Sequence, residues 1–286
     1  MLTTSSHRAR TALAGLVLAL SLTACSSDKP QKTVEALERG GDVAKIKALV
    51  TENIANHVEA AGKVAAKVAP LFAGEEPPSE DALRSALAGV VKPPEVIQAL
   101  VFSPVDLMVV VDAEGRVLAR DRESEERSFR GRDLFEESAE LRAAFAEGEP
   151  TQALGPLGRG DQAVPYLYFI APIMREGERV AAVVLGYGLW KEGRRITLQM
   201  RRETEQGDDR VLIVWAFAYL GDEFYKLPNS PLEVEQAVPD AATRRAQLEK
   251  SPEGYVVPGR IFKRDVAVAV LPFPDIGEDF GIIYMR

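Results

Sequence analysis

The chain has 286 residues, 43 acidic and 35 basic side chains, and a formal net charge of −8. An acidic surface repels phosphate groups, so neither nucleic acid nor anionic lipid is expected as the partner of the chain as a whole. The sequence contains one cysteine, Cys25, which excludes an intramolecular disulfide and any metal site built from several cysteines.

The first 24 residues are typical of a secretory signal peptide. Arg8 and Arg10 give a short basic region, and the 14 residues from Thr11 to Ala24 carry no charge. A membrane-spanning helix needs roughly 20 apolar residues, so this run predicts a cleaved leader. Cleavage would remove the two arginines and no acid, which takes the net charge of −8 to about −10.

Leu22, Thr23, Ala24 and Cys25 resemble a bacterial lipobox. The resemblance implies that Cys25 is acylated, becomes the first residue of the mature chain and holds it to a membrane. Several acyl chains on one residue anchor a protein stably, whereas one chain holds it only marginally. Ser26 implies, for a Gram-negative lipoprotein, the periplasmic side of the outer membrane. The expected location is therefore outside the cytoplasm, lipid-anchored to the cell envelope.

Composition and patterning divide the chain into five segments. Residues 1–24 form the signal peptide and residues 25–42 a mostly polar, flexible tether. Residues 43–100 are expected to be helical, residues 101–189 to form a first mixed module, and residues 190–286 a connecting helix with a second, degenerate module.

The helical segment begins with a long predicted helix. Apolar residues recur at three- and four-residue steps from Ile46 to Val68, which indicates one buried stripe. Pro70 should end or kink this helix. Ser79 is the expected N-cap of a second helix, and a third is predicted over Pro93–Ala99 with proline in its first turn.

Strands and helices alternate in the remainder of the chain, which predicts an α+β fold. In the first module the pattern gives a hairpin at 106–120, a helix at Glu137–Ala146 and two strands at Tyr166–Ile173 and Val180–Tyr187. In the second it gives a helix at Trp190–Thr204, a strand at Arg210–Ala218, a helix at Glu233–Glu249 and two strands at Val266–Leu271 and Phe280–Met285.

The two modules show a repeat of 100 residues. The segment YLYFIAPIMREG at 166–177 aligns with VAVAVLPFPDIG at 266–277 and matches Pro172 with Pro272 and Gly177 with Gly277. Two coincident turn residues within matching strand pairs favour a duplicated module, although ordinary hairpins share such residues.

Three segments of the first module, taken in order, resemble a Cache domain, the PAS-like extracytoplasmic sensor of chemoreceptors and sensor kinases. They are DLMVVVDAEGRVLARD, FRGRDLFEESAELRAAFAEGEP and YLYFIAPIMREGERVAAVVLGYGL. With the second module, the resemblance implies a long N-terminal helix followed by two PAS/Cache-like modules, each an antiparallel sheet with covering helices. It also implies a small organic ligand, such as an amino acid, carboxylate or amine, held between the first sheet and its loops.

The resemblance is incomplete in two respects. The arginine, tryptophan and tyrosine signature with which amino-acid-binding members grip their ligand is not recognisable in this sequence. No membrane-spanning helix, kinase or methyl-accepting segment follows the last predicted strand, so an envelope protein is expected as the signalling partner.

Four residues are candidates for contacting a ligand. Tyr166 and Tyr168 should share one strand face with Ile170, where a buried hydroxyl needs a partner. Arg130 and Arg132 precede a helix and could bind an anion bidentately. The competing interpretation is that the tyrosines are ordinary sheet residues and the arginines ordinary surface charges.

The pattern gives little support for an enzyme, and no cofactor or metal is expected. His57 is the only histidine after the signal peptide, and it lies on the flank of the apolar stripe of the long helix, where a packed or solvated residue is expected. Asp112, Glu114 and Gly115 are better explained by a hairpin turn than by a calcium loop. The segment LGPLGRGD lacks the phosphate-loop pattern and is expected to be a mobile loop over the sheet.

Three function classes stay open. A lipid-anchored sensor predicts a closed, partly polar cavity around Tyr166 and Tyr168. The alternative, a scaffold or docking lipoprotein, predicts that this space is filled and that an apolar patch lies elsewhere. A hydrolase, the third class, would require a histidine, acid or serine cluster that the sequence does not show.

Overall fold

The computed structural model of the protein describes residues 33–35, 37, 41–74, 76–92, 96–121, 129–205 and 213–286. The predicted signal peptide, Cys25 and most of the predicted tether lie outside these residues. The helices in chain order are α1 Asp42–Val68, α2 Glu80–Gly89, α3 Gln98–Phe102, α4 Leu134–Glu137, α5 Ala139–Glu147, α6 Trp190–Glu205, α7 Leu232–Glu235 and α8 Ala241–Lys250.

The predicted long helix is confirmed as α1. It ends at Val68 and continues into a 3₁₀ turn at Ala69–Phe72 that contains Pro70, because proline cannot continue the α-helical hydrogen-bond pattern. Ser79 caps α2, where its hydroxyl accepts a hydrogen bond from the backbone N–H of Ala82 at 3.3 Å. These features follow from local chemistry alone.

Three predicted helix boundaries are wrong. The third helix is α3, which begins only at Gln98, because Ile97 before it has extended backbone angles. The helix predicted at Glu137–Ala146 is two helices separated by Ser138, whose hydroxyl caps α5. The helix predicted at Glu233–Glu249 is also divided, because Pro239 interrupts it and Asp240 caps α8 through the N–H of Thr243 at 2.8 Å.

The strands form two five-stranded antiparallel sheets of the same topology. The first has the order β2-β1-β5-β4-β3 and the second β7-β6-β10-β9-β8. The strands are β1 Leu107–Asp112, β2 Val117–Arg120, β3 Thr151–Leu157, β4 Val164–Arg175, β5 Glu178–Gly188, β6 Trp215–Leu220, β7 Glu223–Tyr225, β8 Tyr255–Ile261, β9 Arg264–Pro272 and β10 Phe280–Met285.

The α+β class and the predicted strand pairs are confirmed, but β3, β7 and β8 were not predicted. β3 includes part of the segment LGPLGRGD, so the expectation of a loop there is wrong for its first half. Proline disfavours central strands, and Pro156 lies in β3 and Pro258 in β8. Both strands lie at a sheet edge, where the N–H that proline lacks has no neighbouring strand to pair with.

The repeat of 100 residues corresponds to equivalent strands. β4 and β9 occupy the same position in their sheets, as do β5 and β10. The two matched prolines lie near the ends of β4 and β9, where Pro172 is opposite Ala182 and Pro272 is opposite Gly281. The sequence alignment therefore relates strands that are topologically equivalent.

One apolar core joins the two modules on the inner faces of their sheets. It includes the buried stripe of α1, inner-face residues of both sheets and part of α6. α1 packs mainly on β4 and β5 and also contacts β9, whereas α6 packs on β6. Ile46, Val50, Val64 and Val68 are fully buried, and each such side chain contributes roughly 1.5–3 kcal/mol to stability.

The start of α1 is fixed to the end of β10. Asp42 is buried, and its carboxylate accepts a hydrogen bond from Arg286 at 2.6 Å and one from the hydroxyl of Tyr284 at 3.4 Å. The backbone of Arg286 pairs in turn with Ala267 of β9. The start of α1 therefore lies beside the second sheet, and Leu37 before it is also buried in the apolar core.

Candidate functional site

The outer face of the first sheet carries the predicted tyrosines. Tyr168 and Ile170 belong to the outer core, with Tyr166 packed against it, whereas Leu167 and Phe169 belong to the inner core. The predicted division of β4 into two faces is thus confirmed. α4 and α5 cover this outer face with Leu134, Phe135, Leu141 and Phe145.

Tyr168 is part of this outer core. Only 1% of its surface is exposed, and its hydroxyl donates a 2.8 Å hydrogen bond to the carbonyl oxygen of Pro156 on β3. Burial, and secondarily the carboxylate of Glu137, raises the pKa of Tyr168. The partner that this hydroxyl needs is therefore supplied by the backbone, and the ring of Tyr166 lies 5.9 Å from that of Tyr168.

Arg132 is held by two contacts at the edge of this face. Its guanidinium binds the carboxylate of Glu137 in bidentate fashion, with one N–O distance of 2.6 Å. Its central carbon also lies 4.6 Å from the centre of the Phe129 ring, a cation–π arrangement. The Glu137 side chain is only 2% exposed and also accepts a hydrogen bond from the backbone N–H of Gly158 at 3.0 Å. Glu137 thus ties the arginine to the β3–β4 loop.

A cavity of about 570 Å³ opens where these groups meet. It is lined by Arg132, Glu137, Leu157, Gly158, Arg159 and Gln162. Arg159 is 62% exposed and forms an ion pair with Glu136 at 2.6 Å. Each guanidinium is thus paired with one carboxylate, Arg132 with Glu137 and Arg159 with Glu136. Each also has further N–H groups, which can bind an anion such as a carboxylate.

The structure does not bring all four predicted residues to this cavity. Arg132 lines it, and the two tyrosines lie on the adjoining sheet face. Arg130 is 70% exposed and pairs with Glu80 of α2 at 2.8 Å, and it is not among the residues that line the cavity. A ligand-binding role for any of the four stays a prediction.

Sequence reasoning missed Glu137, Arg159 and Gln162. Arg159 lies within the segment GRGD at 158–161 and Gln162 follows it, and this part of the chain was interpreted as a mobile loop. The loop does have unusual backbone, since Gly158 and Gly160 have φ angles of 114° and 57°. A Cβ on Gly158 would lie 3.2 Å from backbone atoms of Gln162 and Ala163. This glycine lets the loop fold back tightly beside the cavity.

His57 packs on the opposite face of the first sheet, as the sequence suggested. It is 1% exposed, and its ring stacks on Phe169 at 4.8 Å. Nδ1 lies 2.7 Å from the carbonyl oxygen of Asn53 and Nε2 3.1 Å from that of Ser103. The pKa of His57 is nevertheless lowered, because burial and the nearby charge of Arg195 outweigh these carbonyls. The ring serves packing between α1 and the sheet.

The outer face of the second sheet has a different polar composition. Arg244 of α8 is 2% exposed and donates to the carbonyl oxygens of Pro239, Gly221 and Asp222 at 2.8, 3.1 and 2.7 Å. Within the described residues, its Nε and the hydroxyls of Tyr219 and Tyr255 are buried without a hydrogen-bond partner. Burial raises the pKa of Tyr219 to about 12.

An apolar groove of about 720 Å³ lies between the modules. Ile54, Val58 and Gly62 of α1 form one side, and Pro150, Phe273 and Ile276 contribute to the other. Gln152 of β3 donates a hydrogen bond of 3.2 Å to the carbonyl oxygen of Asp275. The groove thus spans α1 and a loop of each module.

Two kinds of feature are absent from the described residues. No group of three or more histidine, cysteine, aspartate and glutamate side chains is placed to hold a metal ion. Among the same residues, no helix has both the length and the apolar character needed to span a membrane.

No protein-family model matches the chain, and no curated protein matches it. Solved structures do match. An extracellular ligand-binding receptor from Desulfohalobium retbaense DSM5692 superposes with a TM-score of 0.53 at 11% identity, covering 86% of this chain and 39% of the receptor chain. This chain thus spans well under half of that receptor chain.

Two further structures are matched over nearly their full length. A protein described as methyl-accepting chemotaxis protein X has a TM-score of 0.54 at 9% identity, covering 88% of this chain and 98% of its own. The ligand-binding domain of the Pseudomonas aeruginosa PAO1 amino-acid chemoreceptor PctB, in complex with L-Arg, has a TM-score of 0.50 at 12% identity, covering 89% and 95%. At these identities the likeness concerns the fold. The chain therefore has the Cache-like, PAS-like fold of extracytoplasmic sensor domains, with a long N-terminal helix and two antiparallel modules.

Proposed function

We propose that the protein is an exported, lipid-anchored sensor that binds a small organic anion in its first module and signals through a partner protein of the cell envelope. The observation that carries this proposal is the cavity lined by Arg132, Glu137 and Arg159. The PctB domain, which has the same fold, was solved with an amino acid bound.

The geometry favours an anion with a carboxylate group. The bidentate contact to Glu137 already holds Arg132 in place, so little side-chain entropy would be lost when a ligand binds it. Arg159 is exposed, and its ion-pair partner among the described residues is exposed Glu136, so it can reorient toward an incoming carboxylate. Tyr166 and Tyr168 lie on the sheet face next to the cavity. No metal or cofactor is invoked.

The test is a thermal-shift screen of residues 26–286 against carboxylates, amino acids, amines and nucleobases. This segment contains every residue that the structure describes. A ligand at a hundred times its dissociation constant stabilises the folded state by about 2.7 kcal/mol. For a domain of this size that corresponds to a rise of about 5 °C or more in Tm.

Two exposed arginines give matched variants for this screen. Arg159→Gln should abolish the shift produced by a carboxylate ligand, because Arg159 lines the cavity. Arg130→Gln should leave the shift unchanged, because Arg130 pairs with Glu80 away from the cavity lining. If ligand binding depended on Arg130 and not on Arg159, the binding site would lie near Arg130 and not in this cavity.

The lipid anchor has a separate test. Replacing Cys25 by serine should prevent acylation, so the protein should leave the membrane fraction for the soluble fraction, and mass spectrometry of the wild-type N-terminus should show acyl chains on Cys25. Membrane retention of the Cys25→Ser variant with its signal peptide removed would contradict acylation as the anchor.

A second candidate function, a docking lipoprotein that binds no small molecule, is favoured by the apolar groove between α1 and the loops at Pro150 and Phe273–Ile276. The space around Tyr168 is filled, as this candidate predicts. Failure of every ligand class to raise Tm would favour docking over sensing.

A further inference from the structure

The turn between β8 and β9 presents an aromatic residue to solvent. Ile261 pairs with Arg264, so the turn consists of two residues, Phe262 and Lys263. Phe262 is 51% exposed. About half of the ring surface therefore stays in water, so this phenylalanine gains only part of the free energy that full burial would give.

The backbone of this turn is unfavourable for both residues. Phe262 and Lys263 have φ angles of 49° and 63°. Two-residue turns of this kind favour asparagine, aspartate or glycine, because other residues place Cβ against a carbonyl oxygen. The corresponding turn between β4 and β5 uses Glu176 and Gly177. The β8–β9 turn therefore retains phenylalanine and lysine at a cost in stability.

The same turn is basic in an acidic protein. Arg260, Lys263 and Arg264 are all exposed, and within the described residues their side chains form no ion pair. The acid opposite them is Asp265, which faces Arg260 across the hairpin. The segment 260–265 thus carries a net charge of +2, whereas the whole chain carries −8.

This basic tip lies at the end of the molecule where α1 begins. Asp42 at the start of α1 is bound by Arg286, which pairs with Ala267. Arg264 lies three residues before Ala267, and a strand rises about 3.3 Å per residue. The hairpin therefore extends about 10 Å beyond the end of β10, beside the start of α1 at Asp42.

We propose that the β8–β9 tip, with Phe262 and the cations Arg260, Lys263 and Arg264, docks onto an anionic lipid surface. Exposed cations attract anionic headgroups, and an aromatic ring can enter the boundary between headgroups and acyl chains. An acidic protein segment would match the charges, but the location beside the N-terminal segment favours lipid. The nearness of a membrane rests on the proposed anchor at Cys25, and the acidic remainder of the surface would keep this end facing the bilayer.

The test is binding of residues 26–286, which lack Cys25, to lipid vesicles. Vesicles of pure phosphatidylcholine are compared with vesicles that contain about 30 mol% phosphatidylglycerol. The second mixture has a negative surface potential like that of an anionic biological membrane. Co-sedimentation should be detected only with the anionic vesicles and should weaken as salt rises, because the attraction is screened.

Two tip variants separate binding from folding. Replacing Lys263 and Arg264 by glutamate should weaken vesicle binding by more than about tenfold, since each basic residue near an anionic bilayer contributes roughly a fivefold factor. Phe262→Asn should weaken binding by roughly tenfold through loss of apolar contact. It should also raise Tm, because asparagine tolerates a positive φ.

Matched controls lie in the first module. Arg142 is an exposed cation on α5, and Phe102 at the end of α3 is 84% exposed. Arg142→Glu and Phe102→Ser should bind vesicles as the wild type does. Equal binding to both vesicle types, or loss of binding in these controls and not in the tip variants, would overturn the proposal. The ligand screen of the first module is independent of either result.

Discussion

The two modules share one topology, yet the buried polar groups on their outer faces differ in whether they have hydrogen-bond partners. In the first module the hydroxyl of Tyr168 is bonded to Pro156, and the charges of Arg132 and Glu137 satisfy each other beside a cavity. In the second module Arg244 is buried against backbone carbonyls, and the hydroxyls of Tyr219 and Tyr255 have no partner among the described residues.

This difference shows that duplication of a fold does not duplicate a site. The sheet order needs only the alternation of apolar residues, which both modules keep. A site needs polar groups that are satisfied in place and also reachable by a ligand. Of the two outer faces, the first has this combination. Three pairs of variants compare the outer faces, and a fourth experiment concerns the inner face of the first sheet.

The largest expected effect comes from the glycines on the two central strands. Gly281→Ala would place a Cβ 2.4 Å from the buried ring of Tyr219 and 2.5 Å from the carbonyl oxygen of Leu271, whereas at Gly186 the nearest atom is at 3.1 Å. We expect a loss of about 3 kcal/mol in unfolding free energy for Gly281→Ala and about 1 kcal/mol for Gly186→Ala. Denaturant unfolding measures both, and equal losses would show that the second face is not packed more tightly.

The second-largest effect is the difference in stability loss when Arg132 and Arg244 are replaced. Arg132→Met leaves the buried carboxylate of Glu137 with only the N–H of Gly158, so we expect a loss of about 2 kcal/mol at pH 7. Arg244→Met leaves only neutral carbonyls and removes a buried charge, so about 1 kcal/mol is expected. Denaturant unfolding of both variants measures the two losses, and equal losses would contradict the role of Glu137.

A smaller difference is expected for the tyrosine hydroxyls. Tyr168→Phe removes the bond to Pro156 and should cost about 1 kcal/mol. Tyr219→Phe removes a hydroxyl that has no partner in the described structure, so stability should be unchanged or slightly higher. Thermal denaturation of the two variants gives the comparison. A clear loss for Tyr219→Phe would reveal an unseen partner in the second module.

The smallest expected effect concerns pH and His57. Its pKa is lowered in the folded state, mainly by burial, so the unfolded chain takes up the proton first. The contribution of His57 to stability is therefore complete above its unfolded pKa of about 6.5 and is lost as the pH falls toward its lower folded value. His57→Phe should lose less stability than the wild type between pH 7 and pH 5. The check is the unfolding free energy of both proteins as a function of pH. Equal losses for the two proteins would show that protonation of His57 does not affect stability.

Several elements could be predicted because their signals are local. The stripe of α1, the cap at Ser79, the turn after Asp112 and the pattern of β4 each depend on residues within a few positions of one another. The division of Tyr168 and Phe169 between two faces follows from the alternation of a strand. The 100-residue repeat related β4 to β9 because both strands keep their turn residues.

The sequence by itself therefore determined the α+β class, the long N-terminal helix and the main strand pairs, and through its motifs it predicted the leader and the lipid-bearing cysteine. Only the tertiary structure decided that prolines occupy edge strands in β3 and β8, since an edge is defined by which strands fail to pair. It also decided that Glu137 joins Arg132 to Gly158, and that Arg130 pairs instead with Glu80. These contacts join segments 5 to 50 residues apart, and no local pattern encodes which charged groups the packing of helices on a sheet brings together.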